Sequence, residues 1–257
     1  MINTEEIQVE TINHLGLIAG IIDDIELEKI INEVVGTDSR ELVTAGQVVK
    51  AIIINGLGFV SRPLYLFSQF FKDKATEHLL GKGIESSQLN DDKIGRTMDN
   101  LYRKGLSNIF LKIALAVVDK YGISTDYSHL DSSSFSVQGK YLESNSTMTE
   151  TEAYHWGTLA FLRGAETLGL LLLWLRLWEA LNETSEGEPI PLKITKGYSR
   201  DHRPDLKQFI VDLIVSGDGG VPLYLRVADG NEQDKAVFGK IAQEYKSLIN
   251  FETVIVA

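Results

Sequence analysis

FIVDLIVSGDGGVPLYLRVADG, residues 209–230, decides the fold. Two runs rich in β-branched, aliphatic and aromatic residues flank Gly-Asp-Gly-Gly, a turn-forming string, so the stretch predicts an antiparallel hairpin of strands 209–217 and 222–230. Downstream, DKAVFGKIAQEYKSL (234–248) has helical spacing, with Asp234 placed to cap its start, and ETVIVA (252–257) reads as a strand. Upstream, YSHLDSSSFSV (127–137) reads as the first strand of the set. The order is strand, long insert, strand, strand, helix, strand. A hairpin followed by a helical crossover predicts a mixed sheet whose last strand runs parallel to one of its neighbours.

Ahead of this region, residues 1–121 read as an all-α domain used for packing or DNA recognition. IELEKIINEVV (25–35) places apolar residues at helical spacing. TAGQVVKAIIINGLGFV opens with Thr44 as an N-cap and runs toward glycines 56 and 58. SRPLYLFSQFFKDKATEHLL (61–80) starts with Ser61 as a cap and Pro63 near the first turn, and reads as one helix. LNDDKIGRTMDNLYRKG and LSNIFLKIALAVVDKYG bring the set to about five helices. The fold class expected is therefore α+β: a helical domain over 1–121, then a mixed α/β domain over 122–257. An apolar segment at 155–183 interrupts the second domain. Its dense run, 168–178, contains Arg176 and is shorter than the ~20 apolar residues a membrane span needs, so it reads as a buried or self-associating helix.

The chain has 257 residues, a formal charge of -11 and no cysteine. The absence of cysteine excludes disulfides and thiolate metal sites. The start lacks the basic and apolar regions of a signal peptide, so the expectation is a cytoplasmic protein with no membrane association. The negative charge argues against coating nucleic acid non-specifically, but it is compatible with one local basic surface.

Such a surface is offered by KITKGYSRDHRPDLKQF (193–209). Lys193, Lys196, Arg200, Arg203 and Lys207 outnumber Asp201 and Asp205, with His202 among them. Either it binds an anion, phosphate above all, or its arginines are spent on the neighbouring aspartates. Asp131 is the second candidate. A carboxylate on a strand suits a hard cation that takes oxygen ligands, and it equally suits a bond to a nearby serine or backbone amide. His129 is read as pointing to the opposite side of the strand, so it is not paired with Asp131. Asp229 reads first as turn chemistry and Asp234 first as a helix cap.

LDSSSFSV, GYSRDHRPDLKQF, GVPLYLRVADGNEQDK and ETVIVA, in this order, resemble the DDE transposases of bacterial insertion sequences, in particular the group with a Tyr-Arg-Glu-Lys signature. NHLGLIAGIIDD, IINGLGFVSRPLYLFSQFF and LNDDKIGRTMDNLY resemble the helical N-terminal domain of the same group. The resemblance spans the chain except about 145–188. It implies a ribonuclease-H-like core whose first acid lies on the first strand and whose second follows the fourth. It makes Asp131 the first catalytic acid and a ligand of Mg2+ or Mn2+, and assigns DNA contact to Lys196, Arg200, His202, Arg203 and Lys207. The implied reaction is cleavage at the element's terminal repeats and strand transfer into target DNA, by phosphoryl transfer at two metal ions.

Two departures qualify this expectation. Asp131 is the one acid of the family's three that the chain contains, since its last residue, Ala257, stands where the second would follow. The core is thus expected to be incomplete at its C-terminus, the chain inactive in transposition and unable to hold the metal tightly, and its exposed apolar surface prone to self-association. The apolar segment 155–183 replaces a short polar link. Two alternatives stay open: a non-catalytic remnant that binds DNA or a partner, and a metal-dependent nuclease of the same fold that completes its site with Asp229.

Overall fold

The computed structural model describes residues 9–138, 192–198, 203–232, 234–248 and 253–256. They fall into two compact units that divide at Asn100 and Leu101. The apolar segment 155–183 lies outside the described residues.

The first unit is helical: α1 (Leu15–Asp24), α2 (Leu27–Val35), α3 (Ala45–Gly56), α4 (Phe67–Phe70), α5 (Thr76–Leu80) and most of α6 (Asp91–Lys104), whose last residues belong to the second unit. Helix α3 is its centre, with Val48, Ala51 and Ile54 fully buried. Its N-terminal amides are satisfied from several sides. Thr44 Oγ1 accepts from Gln47 N (3.3 Å), Gln47 Oε1 accepts from Thr44 N (2.9 Å), and Asn32 Oδ1 on α2 accepts from Gly46 N (2.8 Å). A Cβ on Gly46 would lie 2.4 Å from the Glu28 carbonyl oxygen, so α2 and α3 meet at backbone distance. Lys50 is buried within α3, but its ammonium is neutralised by Asp23 and by Glu28 at 3.1 Å. Buried Asn55 donates to Arg62 O and accepts from Arg62 N, both at 2.9 Å, which closes the loop behind the helix.

The expected single helix over 61–80 is broken into a 3-10 turn at Leu64–Leu66, α4 and α5. The reason is tertiary. Ala75 N donates to Thr11 O (3.1 Å) and Thr11 N donates to Asp73 O (3.0 Å), which pulls the backbone of 73–75 out of helical pairing.

The second unit contains α7 (Leu106–Tyr121), β1 (Tyr127–Val137), β2 (Lys207–Ser216), β3 (Pro222–Asp229), α8 (Asp234–Leu248) and β4 (Thr253–Val256). The hairpin and the mixed sheet expected from the sequence are present. Strands run in the order β3-β2-β1-β4, with β1 antiparallel to β2, β2 antiparallel to β3, and β4 parallel to β1. Gly219 and Gly220 take positive φ (74° and 63°) in the hairpin turn, a conformation that favours glycine. One face of the sheet builds a core from Leu130, Ile214 and Tyr224 with Leu111 of α7 and Ile241 and Tyr245 of α8. Helix α7, expected with the helical domain, therefore belongs to the sheet. The two compact units divide at Asn100/Leu101, ahead of this helix.

Two glycine substitutions separate backbone crowding from helix propensity. Gly46→Ala should destabilise the protein by about 1–3 kcal/mol, because the methyl group meets the α2 backbone. Gly20→Ala, on exposed α1 surface with nothing within 4 Å, should stabilise it by about 0.5–1 kcal/mol. Denaturant titration of both variants checks the pair; equal shifts of the same sign would contradict the packing described.

Candidate functional site

Strand β1 alternates along its first half. Ser128, Leu130 and Ser132 are buried, while Tyr127, His129, Asp131 and Ser133 are exposed. The expectation for His129 is thereby corrected: residues two apart on a strand share a face, and His129 lies on the same exposed face as Asp131. Asp131 sits opposite Leu213 of β2, which sits opposite Leu225 of β3; both leucines are half-buried. Asp131 Oδ1 accepts from Ser132 N at 2.8 Å. On the other side of β1, Leu130 pairs with Val256 of parallel β4.

One position along, the buried face carries a row that the sequence reading did not find. Ser132, Asp212 and Arg226 stand opposite one another across β1, β2 and β3. Ser132 Oγ donates to Asp212 Oδ1, and Arg226 Nη1 donates to Asp212 Oδ2 at 2.7 Å. The same guanidinium grips Glu232 with both nitrogens, at 2.7 and 2.8 Å, just after β3. Asp212 is 2% exposed. One cation thus serves two carboxylates, and Glu232 holds it in the stronger, two-pronged geometry. Burial pushes the Asp212 carboxyl above its usual range, with the Ser132 hydroxyl and Arg226 opposing and Glu232 adding to the rise. The Arg226 guanidinium is held charged by Glu232 and Asp212, against the burial that opposes it.

The basic stretch is anchored to the base of the hairpin. Thr195 and Gln208 exchange backbone hydrogen bonds (3.2 and 2.8 Å), and Gly230 N donates to Lys193 O at 3.0 Å. Asp229 Oδ1 accepts from Lys193 N at 2.8 Å. Buried Gln208 donates through Nε2 to Gly230 O (2.8 Å) and Tyr198 O (3.1 Å). A Cβ on Gly197 would fall 1.9 Å from Gly230 O, so this crossing requires glycine. Lys196 is exposed beside it. Arg203 is engaged by Asp205 in a two-pronged pair (2.9 and 2.7 Å), which raises the arginine and lowers the aspartate. Lys207 is half-buried at the start of β2. Arg200 and His202 lie outside the described residues.

The structure does not bring Asp229 to Asp131. The two are separated by two strands and by four residues of register, about 16 Å at ~4.8 Å per strand and ~3.3 Å per residue. The observed register therefore does not set Asp229 beside Asp131 on the sheet. Asp234 opens α8. Among the described residues, no group of three or more His, Cys, Asp or Glu forms a metal site, and no helix is long and apolar enough to cross a membrane.

The Asp212 carboxyl, shifted upward, fixes the sign of a pH effect. The folded state keeps this proton to higher pH than the unfolded chain. The stability it contributes is therefore full below the ordinary carboxylate range and is lost as pH rises through the folded-state value. The stability of the native protein minus that of Asp212→Asn should fall as pH increases from about 4 and then level off. Urea titrations across that range check it; a difference that rises would contradict the assignment.

Residues 7–115 match a family described as a domain of unknown function (DUF4277). The match covers α1–α6 and part of α7 and stops before β1. No curated protein and no solved structure matches the chain.

Proposed function

We propose that the chain belongs to a transposase of the DDE class, with the sheet as part of a ribonuclease-H-like catalytic core and Asp131 as its first acid. The observation that carries this reading is the parallel pairing of β4 with β1, in which Leu130 stands opposite Val256. A second acid that follows the fourth strand can meet an acid on the first only if those strands are adjacent and run the same way. Here β4 ends at Val256, paired with Leu130, the residue before Asp131. The exposed orientation of Asp131 also supports the reading, since a carboxylate that takes a cation and a phosphate must be open to both.

Divalent cations in such a core supply charge neutralisation at the scissile phosphate. The described residues do not fit a complete site for them: Asp131 is the single carboxylate on β1, and the remaining ligands would lie outside the described residues. Asp131 contributes one oxygen donor held by the Ser132 amide. DNA contact falls to the anchored basic stretch, where Lys196 is exposed and Arg203 must first release Asp205.

Cleavage of DNA carrying the inverted repeats that flank the gene, by the full gene product with Mg2+ or Mn2+, tests the reading. Asp131→Ala should lower the rate by at least about 10^3-fold, the scale of a lost metal-holding group. Metal-dependent cleavage that survives this substitution would overturn the assignment. The basic stretch makes a separate prediction. Lys196→Ala should weaken DNA binding and reduce the slope of log K against log salt by about one, and Arg203→Ala should change it less. Fluorescence anisotropy over a salt series measures both; an unchanged slope for Lys196→Ala contradicts its role.

A further inference from the structure

The apolar residues of β1 do not choose a face. Leu130 points into the core with α7 and α8, whereas Phe135 points the other way and stacks on Phe209 at 5.3 Å. Five of the strand's eleven residues are serines, which fit either face. A one-residue slip turns every side chain over, and strands of this composition specify their register weakly. For β1 such a slip carries a particular consequence: it turns Asp131 inward.

We infer that the buried row Ser132–Asp212–Arg226–Glu232 is a register lock that keeps Asp131 on the open face of the sheet, with Asp212 and Arg226 acting as positioning residues. In the observed register Asp212 accepts from Ser132 and is shared by Arg226. If β1 slips one way, Asp131 faces Asp212 directly, and two buried carboxylates compete for a guanidinium that Glu232 already grips. If it slips the other way, Asp131 takes the place of Leu130 in the core, opposite Ile214 and one residue pair from Asp212. Asp212 therefore attracts the correct neighbour and repels the incorrect one. The upward push on its carboxyl marks a charge kept in a costly place, as expected of a group that serves specificity more than stability.

The importance of the lock rests on the proposed role of Asp131, but register can be read without any reaction. The chain has no cysteine, so single cysteines report each face. Ser133 is exposed and Ser128 is 0% exposed in the observed register. Thiol labelling should be faster for Ser133→Cys than for Ser128→Cys, and Asp212→Leu/Arg226→Met should shrink that rate ratio by at least about tenfold. Ser132→Ala, which deletes one hydroxyl, should shrink it in the same direction and serves if the double variant does not fold. A folded variant whose labelling ratio equals that of the native background overturns the lock. Loss of DNA cleavage with an unchanged ratio tells instead against Asp131, so the two failures are distinguishable.

Discussion

A single guanidinium shared by two carboxylates ties the second unit together. Arg226 reaches across β2 to Asp212 and forward to Glu232, and Asp212 continues the chain to Ser132 on β1. Three strands and the connection into α8 are thereby fixed at one level. Their order fixes the rest: β1 lies between antiparallel β2 and parallel β4, and Asp131 faces out one residue from the buried row. Replacing such a row by apolar residues is often neutral or stabilising, so its presence is better explained by what it positions than by how much it stabilises.

The helical unit is built on different terms. Helix α3 is enclosed by α1, α2 and α5, and its few buried polar groups are matched locally: Lys50 to Asp23 and Glu28, Asn55 to the Arg62 backbone, Gly46 N to Asn32. These bonds join neighbouring elements of one unit.

Much of this was legible in the residues. The Thr44 N-cap, the Gly-Asp-Gly-Gly hairpin turn and the period of α8 are local signals, and local signals survive folding. The basic stretch was legible as charge, but its two alternatives divided between residues: Arg203 is spent on Asp205 while Lys196 is left at the surface. The breaking of 61–80 was not legible, because Thr11, over sixty residues away, captures its backbone. The Asp212–Arg226 pair was hidden by one irregularity. Counting symmetrically from the turn sets Asp212 opposite Leu225, and the register shift between Ile214 and Val215 moves it to Arg226. Asp131 was recognisable as an unusual strand residue, but which face it took depended on the pairing of β1 with β2, which the local sequence does not set.

The central claim of the proposed function is that Asp131 is a cation ligand. Crystals of the full gene product soaked in Mn2+ and measured at the manganese absorption edge test it most directly. The account predicts an anomalous peak at about 2.0–2.2 Å from an Asp131 carboxylate oxygen, shared with a carboxylate from the residues after β4. A structure in which those residues turn away from β1, or in which manganese binds elsewhere and leaves Asp131 without a metal, would contradict it.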